Sequence, residues 1–258
     1  MKLYECTMNN DDITRIELIA SRAWPAKENE RLDGWMLRAN DGITWRTNSV
    51  LPCYSLHELP LEEAIELAIE FYRKRSIPPT FKITEASEPH NLDEELEKRG
   101  FEKEMLTHLQ IADITFISRL QGSYEVEIIP ELDFDWIKAY GKMGGFDQFT
   151  LDTRLEIIDR IRFPLALAKV YINENVVGIG MGVVEDRMMG LFGIYTDPVH
   201  RNRGIGASVN VALGIWGESL GATTAYLQVE AENEKALKLY SKLGFETKYD
   251  YWYRILHE

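Results

Sequence analysis

MMGLFGIYTDPVHRNRGIGASVNVALGIW, residues 188–216, carries the decision about the fold. Its opening, MMGLFGIYT, reads as a strand, and Val209, Leu213 and Trp216 share one face of a helix. Between them Asp197-Pro198 leads into a loop with Arg201, Arg203, Gly204 and Gly206. A strand feeding a glycine loop and then a helix offers an anion two things. These are the free N–H groups of the first helical turn and the positive end of the helix dipole. Three phosphate-binding designs compete. A Walker loop needs a lysine with serine or threonine, and none follows Gly206 in that pattern. A dinucleotide fingerprint needs a third small residue where Val209 stands. The surviving design is a backbone cradle for pyrophosphate, with Arg201 and Arg203 adding positive field. Taken alone, the loop also fits a plain strand-to-helix turn with solvated arginines.

The rest of the composition narrows the setting. At 258 residues and 45% hydrophobic, the chain can bury one large core or two moderate ones. A net charge of −13 argues against a nucleic-acid scaffold and favours a cationic or neutral substrate over an acidic one. The opening MKLYECTMNNDD shows no secretory h-region, and no apolar run reaches the roughly 18 residues of a membrane helix. Cys6 and Cys53 have neither metal nor redox spacing. A cytoplasmic protein without a membrane or nucleic-acid partner is the expectation.

The chain also resembles itself. EKRGFEKEMLTHLQI from Glu97 parallels SKLGFETKYDYWYRI from Ser241, each ending a helix at a glycine (Gly100, Gly244) before Phe-Glu opens a strand. Upstream, GWMLRA-NDG-ITWRTNSVLP reads as a hairpin turned at Asn40-Asp41-Gly42, and VVGIGMGVV-EDR-MMGLFGIYTDP as its counterpart. A helix follows each, the first with Leu61, Ala64, Ile65, Ala68 and Tyr72 on one face. With RLQGSY (119–124) as the boundary, the sequence predicts two α/β units in tandem, residues 1–120 and 121–258.

Residues 124–256 resemble the GCN5-related N-acetyltransferase (GNAT) family. Its acetyl-CoA motif, [QR]-x-x-G-x-[GA] after the fourth strand, is met by Arg201, Gly204 and Gly206, and AYLQVEAENEKALKLYSKLGFE continues the match. The resemblance implies two tandem GNAT-like units, each a mixed, mostly antiparallel sheet flanked by helices. It also implies an N-acetyltransferase that uses acetyl-CoA as co-substrate and a small-molecule or peptide amine as acceptor. By the same resemblance the strand Ile194-Tyr195-Thr196 pairs with the pantetheine arm. Arg201, Asn202, Arg203, Gly204, Ile205, Gly206 and Ala207 hold the pyrophosphate. A backbone N–H near Ile194 stabilises the oxyanion, and Asn233 contacts the cofactor. Tyr240 is then the acid for the departing thiolate, with a tyrosine that merely packs a helix face as the alternative. Asn233 is in any case a helix N-cap by residue type. Glu230 is the candidate base, against a solvated carboxylate or a water chain in that role. Met188 and Met189 carry no acid where the fourth strand begins.

Other chemistry lacks support. The five histidines (His57, His90, His108, His200, His257) show no metal spacing, so no metal is expected, and no G-x-S-x-G elbow occurs. YDYWYRI alternates aromatics as a packing strand does. Aligning the glycine corners sets Gly204 and Gly206 opposite Pro60 and Glu62, and aligning the prolines sets them opposite Glu58 and Pro60. Glu58, Glu62 and Glu63 suit a helix N-terminus but repel phosphate, and Leu96 stands opposite Tyr240. The first half therefore reads as a degenerate copy. Alternatives to turnover in the second are an acetyl-CoA sensor, a longer-chain acyl or aminoacyl transferase, and an inert interaction module.

Overall fold

The computed structural model describes residues 8–257; Cys6 and the opening MKLYECT lie outside the described residues. The elements begin with α1 (Asn10–Ala23), β1 (Glu28–Leu32), β2 (Trp35–Ala39), α2 (Leu61–Arg73), β3 (Thr80–Thr84), α3 (Leu92–Lys98) and β4 (Glu102–Asp113). They continue with α4 (Ile114–Ser118), β5 (Glu127–Ile129), α5 (Phe134–Gly144), α6 (Gln148–Asp159), β6 (Leu165–Ile172), β7 (Asn175–Glu185) and β8 (Met188–Thr196). The last four are α7 (Ile205–Ser219), β9 (Thr224–Glu230), α8 (Glu234–Lys242) and β10 (Glu246–Ile255).

Contacts divide the chain into unit 1, residues 1–109 with 248–258, and unit 2, residues 110–247. The division differs from the expected 1–120 and 121–258 for two reasons. Ile114 and Ile117 of α4 are wholly buried in the unit 2 core beside α7, so the chain just before RLQGSY belongs there. The end of β10 pairs antiparallel with β3, from Tyr251↔Thr84 to Ile255↔Thr80, which returns it to unit 1.

In unit 1, β1 and β2 form an antiparallel hairpin, Met36 bridges antiparallel to Leu51, and Val50 bridges parallel to Phe81 of β3. The expected hairpin at Asn40-Asp41-Gly42 is corrected here. Its return strand shrinks to Val50 and Leu51, with Trp45–Thr47 in a 3-10 turn. The cause is Asn48, whose buried amide accepts from Asn40 N (2.7 Å) and Gly42 N (3.1 Å). It also donates to the carbonyls of Ile43 and Thr44 (2.8 Å each). A side chain that takes these backbone groups removes them from a strand ladder. The core packs Trp35, Leu37 and Ala39 of β2 against Ala64, Ile65 and Ala68 of α2.

In unit 2, β5, β6, β7 and β8 pair antiparallel in that order, and β8 pairs parallel with β9. This is a mixed α/β GNAT-like fold. The tight turns fall at Asn173-Glu174 and Asp186-Arg187, all four with positive φ, which suits the twist of adjoining strands. Helix α7 covers one side of β6, β7 and β8, and α5 packs on β7 and β8. Three alternate residues of β7 that face α7, Gly178, Gly180 and Gly182, are glycines. A Cβ on Gly178 would come within 2.2 Å of Ile205, and one on Gly180 within 2.5 Å of Val209. This stripe lets α7 lie close to the sheet, and so fixes where its N-terminus points.

Candidate active site

The site begins with a mismatch between two strands. Ile179 of β7 faces Tyr195 of β8 while Met181 faces Phe192, so Gly193 and Ile194 together oppose Gly180. This is a β-bulge, and Gly193 takes the left-handed conformation (φ 57°) that a bulge of this kind assigns to glycine. On its other edge β8 pairs with β9 only from Met188↔Thr224 to Gly190↔Tyr226. Beyond that point the two strands no longer pair with each other and leave a wedge. Asp197 N donates to Val177 O of β7 (2.9 Å). Alternate residues of a strand address opposite neighbours, so Ile194 and Thr196 turn their backbone groups toward the wedge.

At the mouth of the wedge α7 starts. Gly204 is its N-cap with φ 87°, and no side chain caps it. Among the described residues the N–H groups of Ile205, Gly206 and Ala207 have no partner, as helix geometry requires of a first turn. Gly206 is hemmed in: a Cβ there would lie 3.1 Å from Leu239 of α8 and 3.7 Å from Thr196 Oγ1. Arg201, Asn202, Arg203 and Gly204 are exposed, and Arg201 Nε donates to Thr196 O (3.3 Å). The loop is braced from below. Asp197 accepts from Val199 N (3.1 Å) and Lys142 Nζ (3.0 Å), and the hydrogen bond from Lys142 holds its carboxyl below the usual range. Ser208 Oγ accepts from Ser123 N (2.9 Å) and Tyr124 N (3.2 Å).

Helix α8 supplies the third side. Asn233 caps it as its residue type predicts, accepting from Ala236 N (3.1 Å). Tyr240 is half-buried against Phe245, with ring centroids 5.7 Å apart. Burial, with Tyr195 nearby as a smaller cause, pushes its phenol up to about 12. Such a phenol is protonated at neutral pH and able to donate. Thr196, Gly206, Leu239, Tyr240 and Tyr195 thus converge. Glu230 is exposed at the end of β9, and its carbonyl accepts from Asn233 N (2.9 Å). Met188 and Met189 are buried.

The sequence reading missed the opposite wall. Trp136 and Tyr140 of α5 stack at 4.7 Å, and Tyr140 lies 5.1 Å from Phe146 and 5.9 Å from Tyr195. The Arg154 guanidinium sits 4.3 Å over Phe146 and donates to Tyr140 Oη (3.3 Å). Their helices were expected, but no spacing marks which faces meet β8. The sequence also missed that Glu102, Glu104 and His257 bring one ligand atom each within 4.8 Å of one another. They come from opposite ends of unit 1, so no local spacing reveals them.

Several known proteins resemble this chain. A family model described as "Probable histone acetyltransferase Rv0428c C-terminal" matches residues 10–254. The protein named "Uncharacterized N-acetyltransferase YobR" from Bacillus subtilis (strain 168) is 31% identical over 248 residues, 95% of this chain and 99% of that protein. A GCN5-related N-acetyltransferase from Kribbella flavida has the same fold, with TM-score 0.70 at 14% identity over 94% of each chain. A tandem GNAT protein from the clavulanic acid biosynthesis pathway has TM-score 0.55 at 10% identity, over 76% of this chain and 68% of that one. Together with the fold, these relatives define an acyltransferase enzyme of the N-acetyltransferase class. The chain belongs to the GNAT family, in the branch that the Rv0428c C-terminal model describes. None of the helices among the described residues is long and apolar enough to cross a membrane.

Proposed function

We propose that unit 2 moves an acetyl group from acetyl-CoA to a primary amine by direct attack, with both substrates bound together. The observation that carries this reading is the bulged wedge opening onto an uncapped helix N-terminus beside Tyr240. The residues present fit coenzyme A. A backbone cradle with three unmatched N–H groups suits a pyrophosphate, and a side chain at Gly206 would fill it. Ile194 and Thr196 offer the pantetheine arm a strand edge, while Asn202, Arg203, Gly204, Ile205, Gly206 and Ala207 surround the phosphates, with Arg201 and Asn233 at the rim. When bound, the coenzyme supplies an acyl thioester. The N–H of Ile194 is placed to stabilise developing negative charge on the acyl oxygen. Tyr240 holds a proton at Oη for the departing sulfur. The exposed Glu230 or a water chain serves as base for the amine, since only a deprotonated amine is required.

Acyl length is set by packing at the closed end of the wedge. Phe192 and Tyr226 meet edge to face at 6.3 Å, and a Cβ on Gly190 would lie 2.5 Å from Tyr226 Oη. So filled, that end favours acetyl over long acyl chains. The Trp136–Tyr140–Phe146 wall beside Tyr195 lines the acceptor side, where the acidic balance of the chain favours a cationic amine. The Mycobacterium tuberculosis relative is named a probable histone acetyltransferase, so lysine amines of proteins belong among the acceptors to test. The pairings of unit 1, antiparallel, antiparallel, then parallel, match the last three of unit 2, from β6–β7 to β8–β9. That order supports reading unit 1 as a tandem copy whose coenzyme site is lost.

Calorimetric titration with acetyl-CoA tests the reading, followed by thiol release in the presence of polyamines and lysine peptides. Micromolar binding and amine-dependent thiol release are expected. Binding without turnover on any amine would favour a sensor, and no binding would end the proposal.

A further inference from the structure

Unit 1 buries a cation that no described residue pairs. Arg38 lies on β2 between Leu37 and Ala39, which both face the core beneath α2. Strand alternation sends its side chain to the other face of that strand. There it is only 4% exposed, and its Nε has no hydrogen-bond partner. Among the described residues no ion pair or hydrogen bond reaches its guanidinium. Enclosing an unmatched donor of a full charge costs far more than losing one hydrogen bond.

The neighbours do not cancel the charge. Glu17 of α1 is the acid near Arg38, and both its oxygens are occupied. Lys82 Nζ holds Oε2 and Tyr249 Oη donates to Oε1 (2.8 Å). Lys82 Nζ also lies 3.7 Å over the Tyr251 ring. Burial pulls Lys82 down to about 8, which leaves it protonated at neutral pH. Burial pushes the Cys53 thiol up to about 12 and raises the Tyr72 and Tyr253 phenols, so none of these supplies an anion. Lys82 and Glu17 pair with each other, Arg38 keeps its positive charge, and a second guanidinium, Arg46, acts on the same Lys82, Tyr251 and Tyr253. Beside Arg38, Tyr253 belongs to a buried cluster with Tyr251 and Ile255, on which Trp45 packs.

We propose that unit 1 binds a small monocarboxylate at Arg38. The planar guanidinium fork matches the two oxygens of a carboxylate. This site is separate from the wedge of unit 2, and its test needs no acetyl transfer.

The test is thermal unfolding of the full chain in chloride buffer, titrated with sodium acetate at constant ionic strength, for the unmutated protein, Arg38→Met and Arg38→Lys. The unmutated protein should show a saturable rise in Tm with acetate. Arg38→Met, freed of a buried unpaired charge, should melt higher without acetate and ignore it. Arg38→Lys should need at least ten-fold more acetate, because the fork is lost. NMR line broadening of 13C-labelled acetate by the unmutated protein gives the same answer should a variant fail to fold. Absence of any acetate response in the unmutated protein would mean that water alone satisfies Arg38, and would overturn the proposal. An equal response to inorganic phosphate would overturn the carboxylate assignment.

Discussion

Two helices of this chain start 144 positions apart, α2 at Leu61 and α7 at Ile205, and their first turns differ in what they offer an anion. Pro60 caps α2, followed by Glu62 and Glu63 in the first turn. Gly204 caps α7, and no acid lies in its first turn. Acids at a helix start are good for the helix and bad for a phosphate. The strands beside them differ likewise. In unit 2, β8 runs on past its last pair with β9 for six residues. In unit 1 Lys82 N bonds Val50 O (2.9 Å) and Glu88 N bonds Pro52 O (3.1 Å), so the gap is closed by main chain. The glycine corners, by contrast, are alike: Phe101 N bonds Leu96 O (3.1 Å) and Phe245 N bonds Tyr240 O (3.0 Å). Corners that hold the fold together are shared, while the mouth that would hold a ligand is not.

The harshest way to break this comparison is to give α7 the acid of α2. Gly206→Glu puts a carboxylate at the helix start and a side chain into the 3.1 Å gap to Leu239. We expect acetyl-CoA affinity to fall by at least ~100-fold, about 3 kcal/mol, by calorimetry. Glu62→Gly in unit 1 should gain nothing, because main chain closes the gap beside α2. A variant of Gly206 that binds normally would show that the cradle lies elsewhere.

The second test is at the matched corner, where Leu96 is wholly buried and Tyr240 half-exposed. Tyr240→Phe should lower kcat by roughly 10²-fold while acetyl-CoA affinity stays within about three-fold. Its raised pKa sets the sign of the pH effect: the phenol is lost as an acid only near pH 12. The rate of the unmutated enzyme should therefore show no fall assignable to this group below about pH 10. A kcat unchanged in Tyr240→Phe would leave the tyrosine a packing residue.

Much of this contrast was legible in residue types alone. Asn233, Gly100 and Gly244 announce helix ends because caps are local, and Gly204 and Gly206 announce a loop without side chains. What stayed hidden depends on distant partners. The antiparallel partner of YDYWYRI is β3, more than 160 residues earlier, and strand pairing leaves no local mark. The 40–52 hairpin failed because the Asn48 amide occupies its main chain. Residues 178–182 read as an ordinary strand, yet their glycines set the height of α7. Unit 1 solves the same packing in reverse, with bulk on the strand (Trp35, Leu37) and alanines on the helix (Ala64, Ala68).

A third prediction concerns how unit 1 secures its corner. Arg254 of β10 donates through Nε to Asp93 Oδ1 (2.8 Å) and through Nη2 to Oδ2 (3.1 Å), and also reaches Phe101 O (3.2 Å). Arg254 is 5% exposed. Arg254→Met should cost about 3 kcal/mol, seen as a lower urea midpoint. Partial burial opposes ionisation of Asp93, but hydrogen bonds from Arg254 and Trp252 outweigh it and hold the carboxyl below its usual value. A depressed folded pKa means stability that is present above about pH 4 and lost as pH falls further. The variant should therefore lose less on acidification than the unmutated protein. A parallel acid limb in both would show that the pair does not set it.

The smallest expected effect separates the two corner helices at their starts. Asn233 and Asn91 are both N-cap residues, but only Asn233 bonds into its helix, through Ala236 N. Asn91 sits at ψ 5° and makes no such bond, and α3 has Asp93, Glu94 and Glu95 for its dipole. Helix α3 also buries Leu92 and Leu96, whereas α8 buries no residue fully, so α8 depends more on its cap. Asn233→Ala should cost about 1 kcal/mol and Asn91→Ala less than about 0.5. Amide hydrogen exchange reads each helix separately. Protection in the first turn of α8, Ala236 foremost, should drop in Asn233→Ala while α3 is unmoved in Asn91→Ala. Equal losses in both would mean that these corners share their starts as well as their ends, and the contrast between the units would then rest on the mouth of α7 alone.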